Sequence, residues 1–249
     1  MQVLSFRWFA KYGHFLRAEA NVSALSYPIP PRTAVLGLLG AILGLEKDQL
    51  PEILSNAQVA IAGTLPSRFW HKIKLRKDPP TALPRTIKKG QKGNKGSDEQ
   101  ATLVLQEWLW QPSFLIHVAM PDNQAVFTEL YERVAQRRWY FSPCMGLSEL
   151  LAEVELIGIA AAKPVPAGKV KITSIFPQSA GRVLNSETKL GIHLLRMPRE
   201  VSPDRVFSHQ NYYIEHQGQA FIVETEQAWS LDETIKTKMK HEVGNIVFC

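Results

Sequence analysis

The chain has 249 residues, of which 45% are hydrophobic and 21% charged, so it is long enough and apolar enough to bury a substantial core. Its formal net charge of +6 favours a polyanionic partner, because clustered lysines and arginines release counterions when they meet phosphates. Two cysteines exclude the disulfide framework of small secreted domains, and the most apolar window, Ala34 to Leu45, is too short to span a bilayer. We therefore expect a cytoplasmic protein with no membrane role.

The first two-thirds of the chain predict alternating strands and helices. Leu4, Phe6 and Trp8 alternate with Ser5 and Arg7, which predicts a half-buried strand over residues 3–9. The apolar run over residues 34–45 follows prolines that a first helical turn tolerates, so it predicts a helix. The remaining predicted elements are a strand over residues 58–65, a strand over residues 103–120 or a hairpin broken near Gln111-Pro112, a helix capped by Asp122-Asn123, and a strand over residues 152–160.

This β-α-β-β-α-β order predicts an α+β fold of the ferredoxin-like or RNA-recognition-motif (RRM) type over residues 1–165. Such a fold has a four-stranded antiparallel sheet with two helices on one face, and we expect the other face to be open. After the Pro/Gly-rich segment at residues 163–168, short strand-like runs predict a small antiparallel β unit over residues 166–249. Those runs cover residues 170–176, 192–196, 212–215 and 220–225.

The main sign of function is a basic segment over residues 71–95, with Asp78 as its one acid. Its cations are Lys72, Lys74, Arg76, Lys77, Arg85, Lys88, Lys89, Lys92 and Lys95. Its prolines and glycines disfavour a helix or a central strand, so we expect a mobile loop near residues 71–100. This loop either is a solvated surface loop or is an arm that becomes ordered on phosphate.

Aromatic and basic residues also interleave over residues 6–15 and 68–72. Single-stranded RNA is bound in this manner, with bases stacked on aromatic rings while cations follow the backbone. Strand alternation turns Phe6 and Trp8 towards the core. The RNA-binding candidates are therefore Arg7, Lys11, Tyr12, Trp70 and His71, in addition to the cations of the basic segment.

Signals for catalysis or for a bound cofactor are sparse. No pair of histidines or cysteines has metal-ligand spacing, and the glycine-rich run at residues 90–97 lacks the Gly-Lys order of a phosphate-binding loop. We expect no metal, no cofactor and no catalytic residue. The alternative is a metal-independent endoribonuclease, for which His14, Tyr27, His71 and Lys72 are the available proton-transfer groups.

The segment from Ser26 to Gly44 closely resembles the N-terminal signature of CRISPR-associated protein family five. That family has a Tyr-Pro pair, here Tyr27-Pro28, then Pro-Pro-Arg-Thr, here residues 30–33, and then a helix of small residues that ends in Ile-Leu-Gly, here residues 42–44. The element order and the segment from Ser142 to Glu149 before the fourth strand resemble the same family. The resemblance covers residues 1–165.

The resemblance implies a RAMP subunit of a type I Cascade complex, which binds the 5′ handle of the CRISPR RNA (crRNA) and caps the backbone filament. Its implied partners are the crRNA, the backbone RAMP subunit, the large subunit and, in the assembled complex, target DNA. The basic loop would be the family's thumb, and Arg32 would contact phosphate. One branch of the family cleaves precursor RNA itself, so the alternative that the resemblance implies is a metal-independent endoribonuclease that processes CRISPR repeat RNA. The branch that this chain most resembles leaves RNA processing to a separate nuclease, so we expect no enzyme.

Overall fold

The structure is a computed structural model that describes residues 1–20, 23–76, 101–184, 191–202, 204, 206–232 and 244–249. The helices in these ranges are α1 (Arg32–Leu43), α2 (Leu50–Leu54) and α3 (Gln124–Ala135), together with a 3₁₀ turn, Gln178–Ala180. The strands are β1 (Gln2–Ala10), β2 (Tyr12–Gly13), β3 (Phe15–Leu16), β4 (Ser26–Tyr27), β5 (Gln58–Gly63), β6 (Arg68–Arg76), β7 (Ala101–Trp110), β8 (Ser113–Ala119), β9 (Ala152–Pro164), β10 (Gly168–Ile172), β11 (Phe176–Pro177), β12 (Gly181–Val183), β13 (Ile192–Val201), β14 (Phe207–Glu215), β15 (Phe221–Thr225), β16 (Ala228–Leu231) and β17 (Ile246–Val247). The described chain is therefore mostly β-sheet with few helices. None of these helices has the length and hydrophobicity needed to cross a membrane.

The largest sheet contains the four strands that the sequence predicts. Its order is β17-β16-β9-β1-β8-β5, and β1 pairs antiparallel with both β8 and β9. Helices α1 and α3 pack on one face of this sheet, where Leu4, Phe6 and Trp8 are buried against them, as the alternation of β1 predicts. Burial of these large side chains supplies the main hydrophobic stabilisation of the fold.

The second face of this sheet is covered at one end, so the prediction of an open face is wrong for that part, whereas Arg7 and Glu155 on the same face stay about half exposed. A separate core cluster lies there, formed by Val3, Ala60, Ala119, Ala162, Leu231 and Ile246. All six residues come from strands of this one sheet, which therefore curls around them. Beyond β17, the Cys249 N–H donates to the carbonyl of Val59 in β5 at 2.8 Å, which brings the two ends of the sheet together. The small Ala side chains permit this tight curvature.

The predicted elements before residue 165 are confirmed, with one change in connection. Helix α1 starts at Arg32 and ends at Leu43, and its C-cap residue Gly44 has a φ of 81°, which suits glycine. Asn123 caps α3 by accepting a hydrogen bond from the Val126 N–H at 3.2 Å. The extended backbone is interrupted between β7 and β8 at Gln111, which has a φ of 46°. These two strands do not form a hairpin with each other, since β8 stays in the main sheet and β7 pairs with β6 and β2.

The later strands form two three-stranded antiparallel sheets, of order β10-β15-β12 and β11-β14-β13. They cover the predicted strand-like runs. Strands β16 and β17 pair within the main sheet, with Trp229 of β16 opposite Pro164 of β9. Met197 of β13 and Tyr212 of β14 also join the core beneath α1 and α3. The predicted boundary at residue 165 is therefore not a boundary between sheets.

Candidate nucleic-acid interface

A two-stranded ribbon contains the first part of the predicted basic segment, up to Arg76. Strands β6 and β7 pair antiparallel from Arg68 opposite Leu109 to Arg76 opposite Ala101, and β2 adds a short third strand. Residues 71–76 are thus strand, so the prediction of a loop from residue 71 is wrong for this part. The prolines and glycines that disfavour a strand all lie after residue 76. Up to that point, aromatic and β-branched residues suit a strand.

One face of this ribbon carries an aromatic cluster, formed by Tyr12, Phe69, His71, Trp108 and Trp110. The ring centroid of Tyr12 lies 5.4 Å from those of Trp108 and Trp110 and 5.8 Å from that of Phe69. The His71 ring lies 4.3 Å from Trp108. Trp110 is 42% exposed and His71 is also exposed, so the cluster presents ring surface to solvent.

Positive charge adjoins the aromatic cluster. The Lys11 Nζ lies 5.4 Å from the centroid of the Tyr12 ring, in a cation–π contact. Lys72 and Lys74 are exposed and project from the opposite face of the ribbon, across from Leu105 and Leu103. Trp70 shares that second face and is 52% exposed. The ribbon therefore offers ring surface and cations on both faces.

The buried carboxylate of Glu107 fixes the base of the ribbon to the rest of the protein. Its Oε2 accepts a hydrogen bond from the Ser26 N–H at 3.0 Å, and its Oε1 pairs with Arg68 at 3.2 Å. The backbone carbonyl of Glu107 lies 2.8 Å from Nδ1 of His14. Backbone bonds between Ala24 and the strand carrying Glu107 add to these contacts. The ribbon is thus anchored by groups that are about 80 and 90 residues away in sequence.

Arg32 does not lie where a phosphate contact requires it. It is 6% exposed, and its guanidinium donates to the carbonyls of Ser55, Ala57 and Arg199. Burial lowers the pKa of Arg32 from its ordinary value. This arrangement contradicts the prediction of a phosphate contact. Arg32 instead ties the start of α1 to the segment before β5 and to β13.

The other predicted RNA-binding residues have different positions. Arg7 lies half exposed near the end of β1, donates from Nε to the Ser113 hydroxyl at 2.9 Å and lies over the Phe9 ring. The ribbon brings together Lys11, Tyr12, Trp70, His71, Lys72 and Lys74, and the backbone of Arg76 belongs to β6. Lys77, Arg85, Lys88, Lys89, Lys92 and Lys95 lie outside the described residues.

Phe69, Trp108 and Trp110 were not among the predicted RNA-binding residues. The alternation of Trp108 and Trp110 with Glu107 and Leu109 is a period-two signal that places both tryptophans on one strand face. That signal predicts a shared face but not which strand lies opposite. The pairing of Phe69 with Trp108, which the tertiary structure shows, brings the rings of β6 next to those of β7.

The four groups of the nuclease alternative do not share an accessible site. His14 and Tyr27 are buried, and Tyr27 donates its hydroxyl to Glu19 at 3.3 Å. Burial lowers the pKa of His14 and raises the pKa of Tyr27. Neighbours on a strand point to opposite faces, so His71 and Lys72 project away from each other. Within the described ranges, no group of three or more His, Cys, Asp or Glu side chains has a metal-binding arrangement.

The fold has counterparts among solved structures of CRISPR proteins. A chain of a CRISPR RNA-guided surveillance complex is 14% identical, with a TM-score of 0.53 over 96% of this chain and 100% of the other. A CRISPR protein from Archaeoglobus fulgidus is 12% identical, with a TM-score of 0.54 over 100% of both chains. At these identities the likeness concerns the fold, so by its fold the chain is of the kind found in CRISPR-associated proteins.

The sequence itself assigns the family. The profile of the family described as CRISPR-associated protein (Cas_Cas5) matches residues 3–217. The chain therefore belongs to the Cas5 family of CRISPR-associated proteins. No curated protein matches the sequence significantly.

Proposed function

We propose that this chain is a non-catalytic subunit of a CRISPR effector complex that binds the 5′ handle of the crRNA and caps the backbone filament of a type I Cascade. In this proposal, the sheet order β9-β1-β8-β5 with its two helices is the ferredoxin-like module of RAMP proteins. Membership of the Cas5 family supports a role in CRISPR defence. A structural neighbour is a chain of an RNA-guided surveillance complex, which favours the same setting.

The observation that carries the RNA-binding part of the proposal is the aromatic cluster beside Lys11. Unpaired bases stack on aromatic rings at about 1–3 kcal/mol per base, and cations beside those rings attract the phosphates. Trp110 and Tyr12 present such rings, with centroids 5.4 Å apart, on an anchored strand pair. We propose that the handle crosses this face and that Lys72 and Lys74 add longer-range attraction.

The test uses a labelled RNA copy of a CRISPR repeat from the same genome, incubated with the full chain in EDTA. We expect binding with a steep salt dependence and intact RNA. Trp110→Ala should weaken binding roughly 5- to 150-fold, by loss of one stacked base. Leu194→Ala, which changes an exposed side chain on β13, is the matched control.

Two other outcomes would reject the proposal. Cleavage of the repeat in EDTA would favour the endoribonuclease, in which case His71→Ala and Lys72→Ala should identify the groups involved. Equal RNA affinity of wild type and Trp110→Ala, with unchanged thermal stability, would remove the aromatic cluster from the interface. Replacement of Lys72 and Lys74 by Ala should lower the slope of log affinity against log salt by less than about 1.4, the value for two directly neutralised phosphates.

A further inference from the structure

A second exposed group of arginines and aromatic rings lies just after α3. It consists of Arg137, Arg138, Tyr140 and Phe141, which we call the Arg-aromatic patch. Arg137 has a φ of 52°, and this left-handed residue turns the chain at the end of the helix. The N–H groups of Tyr140 and Phe141 then donate to the carbonyls of Ile42 and Ala41, at 3.3 and 2.9 Å. The patch is therefore pinned to the last turn of α1.

The rings of the patch are held in place yet face solvent. Gly44 makes room for one of them, since a Cβ at this position would lie 2.5 Å from Cγ of Tyr140. Even so, Tyr140 is 64% and Phe141 54% exposed. Their centroids are 4.8 Å apart at 71°, and this T-shaped contact leaves ring faces free. Large apolar side chains presented in this way on an ordered backbone are typical of binding surfaces.

The arginine side chains of the patch have no partner among the described residues. Arg133 is the cation that contacts the end of α1, because it donates to the carbonyl of Ile42 and pairs with Glu129. Arg137 and Arg138 are exposed, and their side chains form no hydrogen bond or ion pair with any described residue. Two guanidinium groups without a described partner, within four residues of two exposed rings in sequence, suit a phosphate chain with unpaired bases.

We infer that the Arg-aromatic patch is a second contact for single-stranded nucleic acid. This inference rests on the proposed function and extends the RNA path beyond the ribbon. The two surfaces are linked by a short stretch of backbone. The Ala152 N–H donates to the carbonyl of Pro143 at 2.9 Å, and Ala152 pairs with Ala10, next to Lys11. One RNA strand that leaves the aromatic cluster can therefore reach Phe141 along this edge.

The test compares two labelled oligouridines, of roughly 5 and roughly 15 nucleotides, within the range of site sizes of single-strand-binding domains. The longer one has more nucleotides with which to contact both surfaces, so wild type should bind it more tightly. The double variant Tyr140→Ala/Phe141→Ala should reduce the ratio of long to short affinity about 10-fold or more. Arg137→Gln/Arg138→Gln should lower the salt slope for the long RNA by about 1.4. Leu194→Ala is again the control.

An unchanged affinity ratio and salt slope, in variants with the thermal stability of wild type, would overturn this inference. If Trp110→Ala still weakens binding in that case, the proposed function stands and only the patch fails. If Trp110→Ala also has no effect, the proposed function itself fails. Normal RNA affinity combined with loss of the variant from the assembled effector complex would assign the patch to a protein partner and overturn the nucleic-acid contact.

Discussion

His117 should make the stability of this protein depend on pH. The side chain is fully buried on the covered part of the second face of the main sheet, where its Nδ1 lies 2.8 Å from the Ser5 hydroxyl. Its Nε2 has no partner among the described residues. Burial lowers the pKa of His117 from 6.5 to about 4, because the charged imidazolium would lose its hydration.

The sign follows from proton uptake. Below a pH of 6.5 the unfolded chain protonates this histidine while the folded chain does not, so folding loses stability as the pH falls from 6.5 towards 4. Between about pH 7.5 and about pH 5 the loss from this group is about 2 kcal/mol. Above the unfolded pKa, the contribution to this pH dependence vanishes.

Urea unfolding at several pH values measures this loss. His117→Gln keeps a hydrogen-bonding group near Ser5 but does not titrate, so its free energy of unfolding should fall about 2 kcal/mol less than that of wild type over the same range. His193→Gln, which replaces an exposed histidine, is the control. Parallel pH profiles of wild type and His117→Gln would refute the reasoning.

Three further changes test the anchoring of the fold by thermal or urea unfolding. Glu107→Ala leaves the Ser26 N–H without its acceptor and should cost about 2–3 kcal/mol, whereas Glu107→Gln should cost less; equal losses would mean that the acceptor does not matter. Gly146→Ala should cost about 3 kcal/mol, because φ is +94° and a Cβ would lie 1.8 Å from the carbonyl oxygen of His14; a neutral effect would contradict the close approach. Gly37→Ala in α1 should instead stabilise the chain by about 0.5–1 kcal/mol, since an added Cβ would have no atom within 4 Å apart from the neighbouring helix backbone. Destabilisation would show that the position is not open.

The local features of the fold follow from residues that are close in sequence. The alternation of Leu4, Phe6 and Trp8 identifies the buried face of β1, because strand geometry alone turns neighbours to opposite sides. Asn123 marks the start of α3, because a short polar side chain can accept from the first free N–H groups of a helix. The helix signature around residues 30–44 also predicts the family that the profile match assigns.

Local sequence patterns do not predict features that depend on contacts between residues far apart in the chain. Charge and Pro/Gly content predict a loop from residue 71, but the pairing of residues 71–76 with residues 101–106 decides that they form a strand. From sequence alone, Arg32 is predicted to be a cation available to phosphate. In the fold, the carbonyls of Ser55, Ala57 and Arg199 accept its hydrogen bonds.

The partial cover on the second face of the main sheet is the clearest case of this division. Val3 and Ala60 follow a strand pattern that is compatible with an open or a covered face. Their cover includes Leu231 and Ile246, which lie more than 160 residues further along the chain, on strands β16 and β17 that extend the sheet. The sequence by itself determined which residues are apolar and how neighbours alternate. The tertiary structure decided what covers them, because contacts at such separations depend on the whole topology rather than on local preference.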